Sequence, residues 1–222
     1  MQHSEEIKHE PNPEEHAKEH VASEKSVPKP PADDSSWKSV VSTLILFAAA
    51  ILIAFFVKAF IVQPYIVDGQ SMENTLQNND RLIVNKIPRT LARIDGHSYI
   101  PKRGNIIIFN QSGLPGYNGS KQLIKRVIGL PGERVVVKDN NITIYNSTHP
   151  NGFNPDATLK YHVVPNSTLG SVDIKLGPNQ VFVCGDNREN SEDSRYFGPV
   201  DVKNIVGKLV LRIMPISKFE SF

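Results

Sequence analysis

The chain is 222 residues long, with 39% hydrophobic and 22% charged residues and a formal net charge of +2, the proportions of one ordinary domain with appendages. A charge this small and unclustered excludes the electrostatic footprint of a phosphate-backbone binder, so no nucleic acid is expected as a partner. Cys184 is the single cysteine, which excludes an intrachain disulfide, and no Cys/His spacing resembles a zinc site.

Residues 1–36 are rich in Glu, Lys, His and Pro and lack hydrophobic periodicity. Such a segment buries too little apolar surface to offset its ordering entropy, so it reads as a disordered tail. His3, His9, His16 and His20 fall in it at irregular spacing, the pattern of a solvated tail rather than a metal site. The run VVSTLILFAAAILIAFFV at 40–57 is uncharged; as a helix it is roughly 27 Å long, near the thickness of a bilayer core. With Trp37 at one interface and Lys58 snorkelling at the other, residues 37–62 read as a single transmembrane anchor. A cleavable signal peptide needs a brief basic start, whereas 36 residues precede Trp37. An all-apolar core helix needs more soluble protein around it than this chain offers. Lys25, Lys29 and Lys38 precede the run, and only Lys58 follows it before Arg81. This asymmetry puts the N-terminus in the cytoplasm and the residues beyond 62 outside.

From Gln63 onward the texture becomes short Val- and Ile-rich runs broken by Asn, Gly, Pro and Asp: DRLIVNK, GNIIIF, LIKRVIGL, RVVVKDNNITIY, QVFVCGD and IVGKLVLRI. These predict a mainly β, antiparallel domain over 63–222, with no long segment of helical period after the anchor. Residues 146–177 carry weaker strand signals and read as an inserted hairpin or long loops. There is no internal repeat, Gly-rich phosphate loop or calcium loop.

The stretch VDGQSMENTL at 67–76 poses the chemical question, because Ser71 is either a turn residue or a nucleophile, and a nucleophile needs a base. None of His97, His149 and His162 has flanks that identify a triad, and GQSME lacks the second glycine of a nucleophile elbow. Carboxylates are many and undistinguished. One lysine is unusual: LIKRVIGLPGE sets Lys125 in an apolar strand, on the face of Leu123 and Val127 and opposite Ile124 and Arg126. Lost hydration lowers the pKa of such an amine. Moving it from about 10.4 to near 7 takes roughly 5 kcal/mol against the charged form, which is what a lysine general base requires. The bland alternative, Lys125 snorkelling from a strand edge and Ser71 closing a turn, stays open on spacing alone.

The blocks VDGQSMENTL, NDRLIVNK, RGNIIIF with LIKRVIGLPGE, and GDNRENSEDSRYFGPV, in this order, resemble bacterial type I signal peptidase. That family comprises membrane-bound serine proteases with a Ser-Lys dyad, which remove signal peptides from exported proteins. The resemblance covers the anchor and most of the following domain. It implies an antiparallel β catalytic domain of that kind, with Ser71 as nucleophile and Lys125 as base. It further implies Ser191 supporting the lysine amine, Asp193 and Arg195 as a buttressing charged pair, and Arg126 beside the base among the supporting residues. Met72, Val67, Leu76 and Ile124 would line shallow pockets for small side chains. No metal or organic cofactor is implied. The partners are signal-peptide-bearing preproteins and membrane lipid, and the place is the plasma membrane of a bacterium.

Four positions depart from the family's common pattern: Asn74 for proline, Asn105 and Glu189 for aspartates, and Gly69 where some members carry an oxyanion-hole serine. The oxyanion would then rest on the Ser71 backbone N–H and a contribution from Gly69 or water. Two other classes compete. One is a self-cleaving Ser-Lys protease of the SOS-repressor type, against which the apolar run stands. The other is a catalytically dead, anchored β module that binds secreted peptides, against which the presence of both Ser71 and Lys125 stands.

Overall fold

The structure is a computed structural model that describes residues 34–73, 75–158 and 167–222. The proposed tail up to residue 33 with its histidines, and also Asn74 and His162, lie outside the described residues. The chain divides into two compact units, Met1–Ala48 and Ala49–Phe222. The described part of the first unit is helical and belongs to α1 (Asp34–Phe56), whose second half opens the second unit. A π-helical turn, Val57–Ile61, extends it. The apolar stretch Trp37–Ile61 has 25 residues and none of its most apolar window is buried. At about 1.5 Å per residue it is long enough to cross a membrane.

The second unit then becomes antiparallel sheet. In chain order its strands are β1 (Val62–Ile66), β2 (Arg81–Asn85), β3 (Ile106–Ser112), β4 (Ser120–Gly129), β5 (Arg134–Lys138), β6 (Asn141–Tyr145), β7 (Val172–Lys175), β8 (Gln180–Cys184), β9 (Val200–Asp201), β10 (Ile205–Met214) and β11 (Glu220–Ser221). Eight of them form a sheet of order β1-β2-β10-β3-β4-β8-β9, with β11 added to β10, and three form a smaller sheet, β6-β5-β7.

The strand-by-strand burial explains the apolar runs. In β3, Ile106 to Phe109 are all buried, because Ile107 and Phe109 enter one core with Val127, Val183 and Ile205. Ile106 and Ile108 enter clusters on the opposite face. A strand covered on both faces reads as an unbroken hydrophobic run rather than an alternating one. Strand β10 serves both β2 and β3, with register shifts where it bends. A Cβ on Gly207 would lie 2.6 Å from the Asn85 carbonyl oxygen, so this crossing requires glycine.

A short helix and a loop-rich stretch accompany the strands. A helix does follow the anchor: α2 (Ile87–Ile94) has Pro88 in its first turn, where proline's missing N–H has no cost. Its apolar residues 87, 91 and 94 keep helical spacing, but for barely two turns. The stretch 146–177, expected as an inserted hairpin or long loops, is mostly irregular among its described residues. Its strand β7 pairs with β5, and Phe153 bridges to Ile144 of β6, so its described ends complete the smaller sheet around Val135, Ile144 and Phe182.

Candidate active site

Ser71 sits in the turn between β1 and β2. That turn is closed at its base by Val67 N–H to Asp80 O and Asn79 N–H to Val67 O, both 2.9 Å, and tightened inside by Leu76 N–H to Met72 O at 2.7 Å. Gly69 has φ of +100°, in the region that favours glycine, so a serine in its place would be strained. The Gly69 N–H donates to Asn78 Oδ1 at 3.0 Å. It is therefore engaged, which removes the expected Gly69 contribution to an oxyanion hole in this state. The Ser71 N–H has no acceptor among the described residues, while its carbonyl accepts from Asn187 N–H at 3.1 Å.

Lys125 lies on β4, opposite Ile107 of β3, and is 3% exposed. Its Nζ is 2.6 Å from Ser71 Oγ. Burial pushes its pKa down to about 8, against the opposing pull of Asp193, Cys184, Asp186 and Glu192. Desolvation outweighs those neighbours because it acts on the ammonium directly, whereas the carboxylate of Asp193 is already neutralised by an arginine. A lysine near pKa 8 holds a usable neutral fraction close to neutral pH.

Two buried ion pairs flank the dyad. Arg126 grips Asp186 bidentately, Nε to Oδ1 at 2.8 Å and Nη2 to Oδ2 at 2.6 Å, and its Nη1 donates to Gly104 O at 2.8 Å. The Thr75 hydroxyl donates to Asp186 Oδ2 at 2.6 Å. Arg195 grips Asp193 through Nε and Nη2, both at 2.8 Å, and also donates to the carbonyls of Leu169 and Arg188.

Ser191 differs from expectation. Its Oγ accepts from Gly185 N–H at 3.1 Å, and no hydrogen bond joins it to Lys125 among the described residues. Asp193 Oδ2 accepts from the same N–H at 3.0 Å. A Cβ on Gly185 would lie 2.2 Å from Ser191 Oγ and 2.3 Å from Ser71 O, so Gly185 is the point where the Ser191 and Ser71 segments meet. Sequence reasoning missed Asp186, Thr75 and Gly185. All three stand inside the blocks GDNRENS and SMENT, and their alternation of small, acidic and hydroxyl residues carries no period that would single them out.

A cavity of about 300 Å³ opens beside the dyad, and Val67, Gly69, Ser71, Ile124 and Lys125 line it. Met72 and Leu76 do not: both are fully buried beneath it, packed with Val67, Leu82 and Ile106. Two of the four expected pocket residues are thus core: Met72 and Leu76 lie one helical turn apart, Leu76 N–H donating to Met72 O, and both pack into the cluster of Val67, Leu82 and Ile106. Strand β4 pairs with β3 along its whole cavity side, Ser120 to Arg126, while β8 pairs only with Arg126, Val127 and Gly129. The edge of residues 120–125 beside the cavity carries no strand among the described residues. His97 follows α2 and His149 contacts Asn146; neither hydrogen-bonds to Ser71. Asn105 caps its own turn, accepting from Lys102 N–H at 3.0 Å, and Glu189 is exposed.

Residues 40–214 match the family described as signal peptidase, peptidase S26. Signal peptidase IB of Staphylococcus aureus (strain COL) is 33% identical over 82% of this chain and 94% of its own. A probable signal peptidase I-2 of Synechocystis is 31% identical over 90% of this chain and 84% of its own. A signal peptidase I of Enterococcus faecalis V583, solved by crystallography, is 26% identical, with a TM-score of 0.36 over 50% of this chain and 97% of its own. By the extent of its family match and of its curated relatives, this chain belongs to the S26 signal peptidases and is a peptide-bond hydrolase.

Proposed function

We propose that this protein is a membrane-anchored serine endopeptidase that removes N-terminal signal peptides from exported preproteins, with Ser71 as nucleophile and Lys125 as its general base. The observation that carries the reading is the 2.6 Å contact between Lys125 Nζ and Ser71 Oγ, made by a buried amine whose pKa is about 8. In its neutral form the amine accepts the Ser71 hydroxyl proton as Oγ attacks the scissile carbonyl carbon. The resulting ammonium protonates the departing amine, which leaves an acyl-enzyme on Ser71. The lysine, neutral again, takes a proton from the attacking water and returns it to Ser71 Oγ as the ester bond breaks and the acyl group leaves as a carboxylic acid. The Ser71 N–H, which has no acceptor among the described residues, faces the oxyanion.

The preprotein binds as an added strand on the open edge of β4 at residues 120–125, with small side chains toward Val67 and Ile124. Arg126, Asp193, Arg195 and Ser191 hold the two halves of the dyad in register without reacting. The stretch Trp37–Ile61 is the anchor; residues 1–36 lie in the cytoplasm and the domain over 63–222 lies outside a bacterial plasma membrane, with lipid as its second partner. The test is cleavage of a precursor with an Ala-x-Ala site by purified protein in detergent. Wild type cuts after the second alanine, and Ser71→Ala and Lys125→Ala do not. Normal turnover by purified Lys125→Ala, with host peptidase excluded, overturns the dyad.

A further inference from the structure

Among the described residues, Tyr65 Oη is the one buried side-chain oxygen or nitrogen without a hydrogen-bond partner. Folded proteins rarely leave a buried hydroxyl unmet, because its lost hydration goes uncompensated. Tyr65 lies on β1, which pairs with β2 alone and ends its sheet. It packs with Ile124 of β4 in two apolar groups, one with Val67 and Leu82 and the other with Val84 and Ile108. Tyr65 and Gln122 also line the cavity beside Ser71. Burial raises the Tyr65 pKa, against the pull of Gln122, Gln63 and Arg89, so the phenol stays a neutral donor at physiological pH. Both glutamines are engaged elsewhere: Gln122 Nε2 donates to Asn110 Oδ1 at 3.1 Å, and Gln63 Oε1 accepts from Lys86 Nζ at 3.3 Å.

A bound peptide can supply the missing partner. Strand pairing on the edge of β4 takes up the peptide's backbone groups, so its side chains are what remain to answer Tyr65. The open edge runs from Lys125 back to Ser120, and the part of the peptide before the cut extends along it in that direction. Side chains on one face of a strand recur at every second residue, about 7 Å apart. Ile124 and Gln122 share a face of β4 at this spacing. The two small side chains of an Ala-x-Ala site, one and three before the cut, face Val67 and Ile124. The next on that face, five before the cut, arrives at Gln122 and Tyr65. We infer that Tyr65 is a specificity residue whose hydroxyl hydrogen-bonds a short polar side chain, such as Ser, Thr or Asn, five residues before the cut. Gln122, exposed beside the open edge, turns to admit that side chain. This rests on the peptidase reading above. A precursor with an apolar residue at that position leaves the hydroxyl unmet and is the poorer substrate.

The experiment uses the full chain in detergent and precursor peptides with one Ala-x-Ala site that differ only in the residue five before the cut. Thr is set against Val and Asn against Leu, pairs of matched shape. Mass spectrometry fixes the cut, and kcat/KM is measured for each peptide. Wild type should prefer the polar member of each pair by about fivefold to tenfold. Tyr65→Phe keeps the ring and removes the hydroxyl; it should equalise the members of each pair and should not lower the denaturation midpoint. If wild type cuts none of the peptides, or Ser71→Ala cuts them as well as wild type does, the peptidase reading fails and this inference with it. If wild type cuts at the Ala-x-Ala site but treats both members alike, or the preference survives in Tyr65→Phe, this inference alone is overturned. An equal preference with the pairs moved to position four, on the opposite face of the strand, overturns it as well.

Discussion

The Thr75 hydroxyl and the Arg126 guanidinium meet on one carboxylate oxygen, Asp186 Oδ2, each at 2.6 Å. Thr75 closes the turn that carries Ser71, and Arg126 follows Lys125 on β4. Asp186 therefore clamps the nucleophile's turn to the base's strand across 111 residues of sequence. Removing it takes from the buried Arg126 guanidinium its bidentate carboxylate, a change that costs about 3 to 5 kcal/mol. Asp186→Ala should lower the denaturation midpoint strongly and reduce kcat by about 100-fold in what stays folded. Chemical denaturation monitored by circular dichroism, with precursor cleavage alongside, checks both.

The buried amine sets a pH dependence for activity and another for stability. Activity should rise with pH along a limb whose apparent pKa is near the value of about 8 for Lys125. For stability, the pKa of this lysine falls from 10.5 in its ordinary state to about 8 in the fold, so the unfolded chain binds more protons between those values and stability rises with pH across that window. Below about 8 the penalty is fully present. Lys125→Met should thus be inactive yet more stable than wild type at pH 7, by roughly 1 to 3 kcal/mol, with the gain shrinking as the pH climbs toward 10.5. Thermal melts of both proteins at pH 7 and pH 10 measure it.

Asp193 is the foremost of the neighbours that raise the Lys125 pKa against burial. Asp193→Asn should therefore move the acidic limb of the rate profile to lower pH, at some loss of stability because Arg195 loses its carboxylate. Ser191→Ala removes one of two acceptors on Gly185 N–H and no bond to the lysine. It should cost about 10-fold in rate and leave the limb in place. A limb that shifts with Ser191→Ala would show that the hydroxyl reaches the amine during turnover.

Gly185→Ala tests the close approach of two chain segments. The added methyl would meet Ser71 O at 2.3 Å, so the turn must retreat and carry Ser71 Oγ away from Lys125. Cleavage should fall by at least about 100-fold. Labelling of Ser71 by a serine-directed acylating reagent should fall in parallel.

Legibility followed the range of each interaction. The apolar strands were plain, since local pattern records burial, and Lys125 stood out because a strand's two-residue period put a charge among Leu123 and Val127. The joints between segments were not. Nothing near Asp186 announces Thr75, and nothing near Ser191 shows that its oxygen would meet Gly185 rather than the lysine. Helix α2 escaped because two turns give too few periods to separate from a loop. Met72 and Leu76 read as pocket residues because apolar character alone does not distinguish a lining side chain from one packed beneath it.

The half-paired state of β4 also sets a limit on crowding. From Ser120 to Lys125 the strand offers its outer backbone groups to any extended chain, another copy of itself included, and an unguarded edge of this kind seeds filaments. Lys121 is the only charged side chain between Ser120 and Ile124. It is the sentinel that keeps the row from zipping onto its twin when many molecules share one patch of surface.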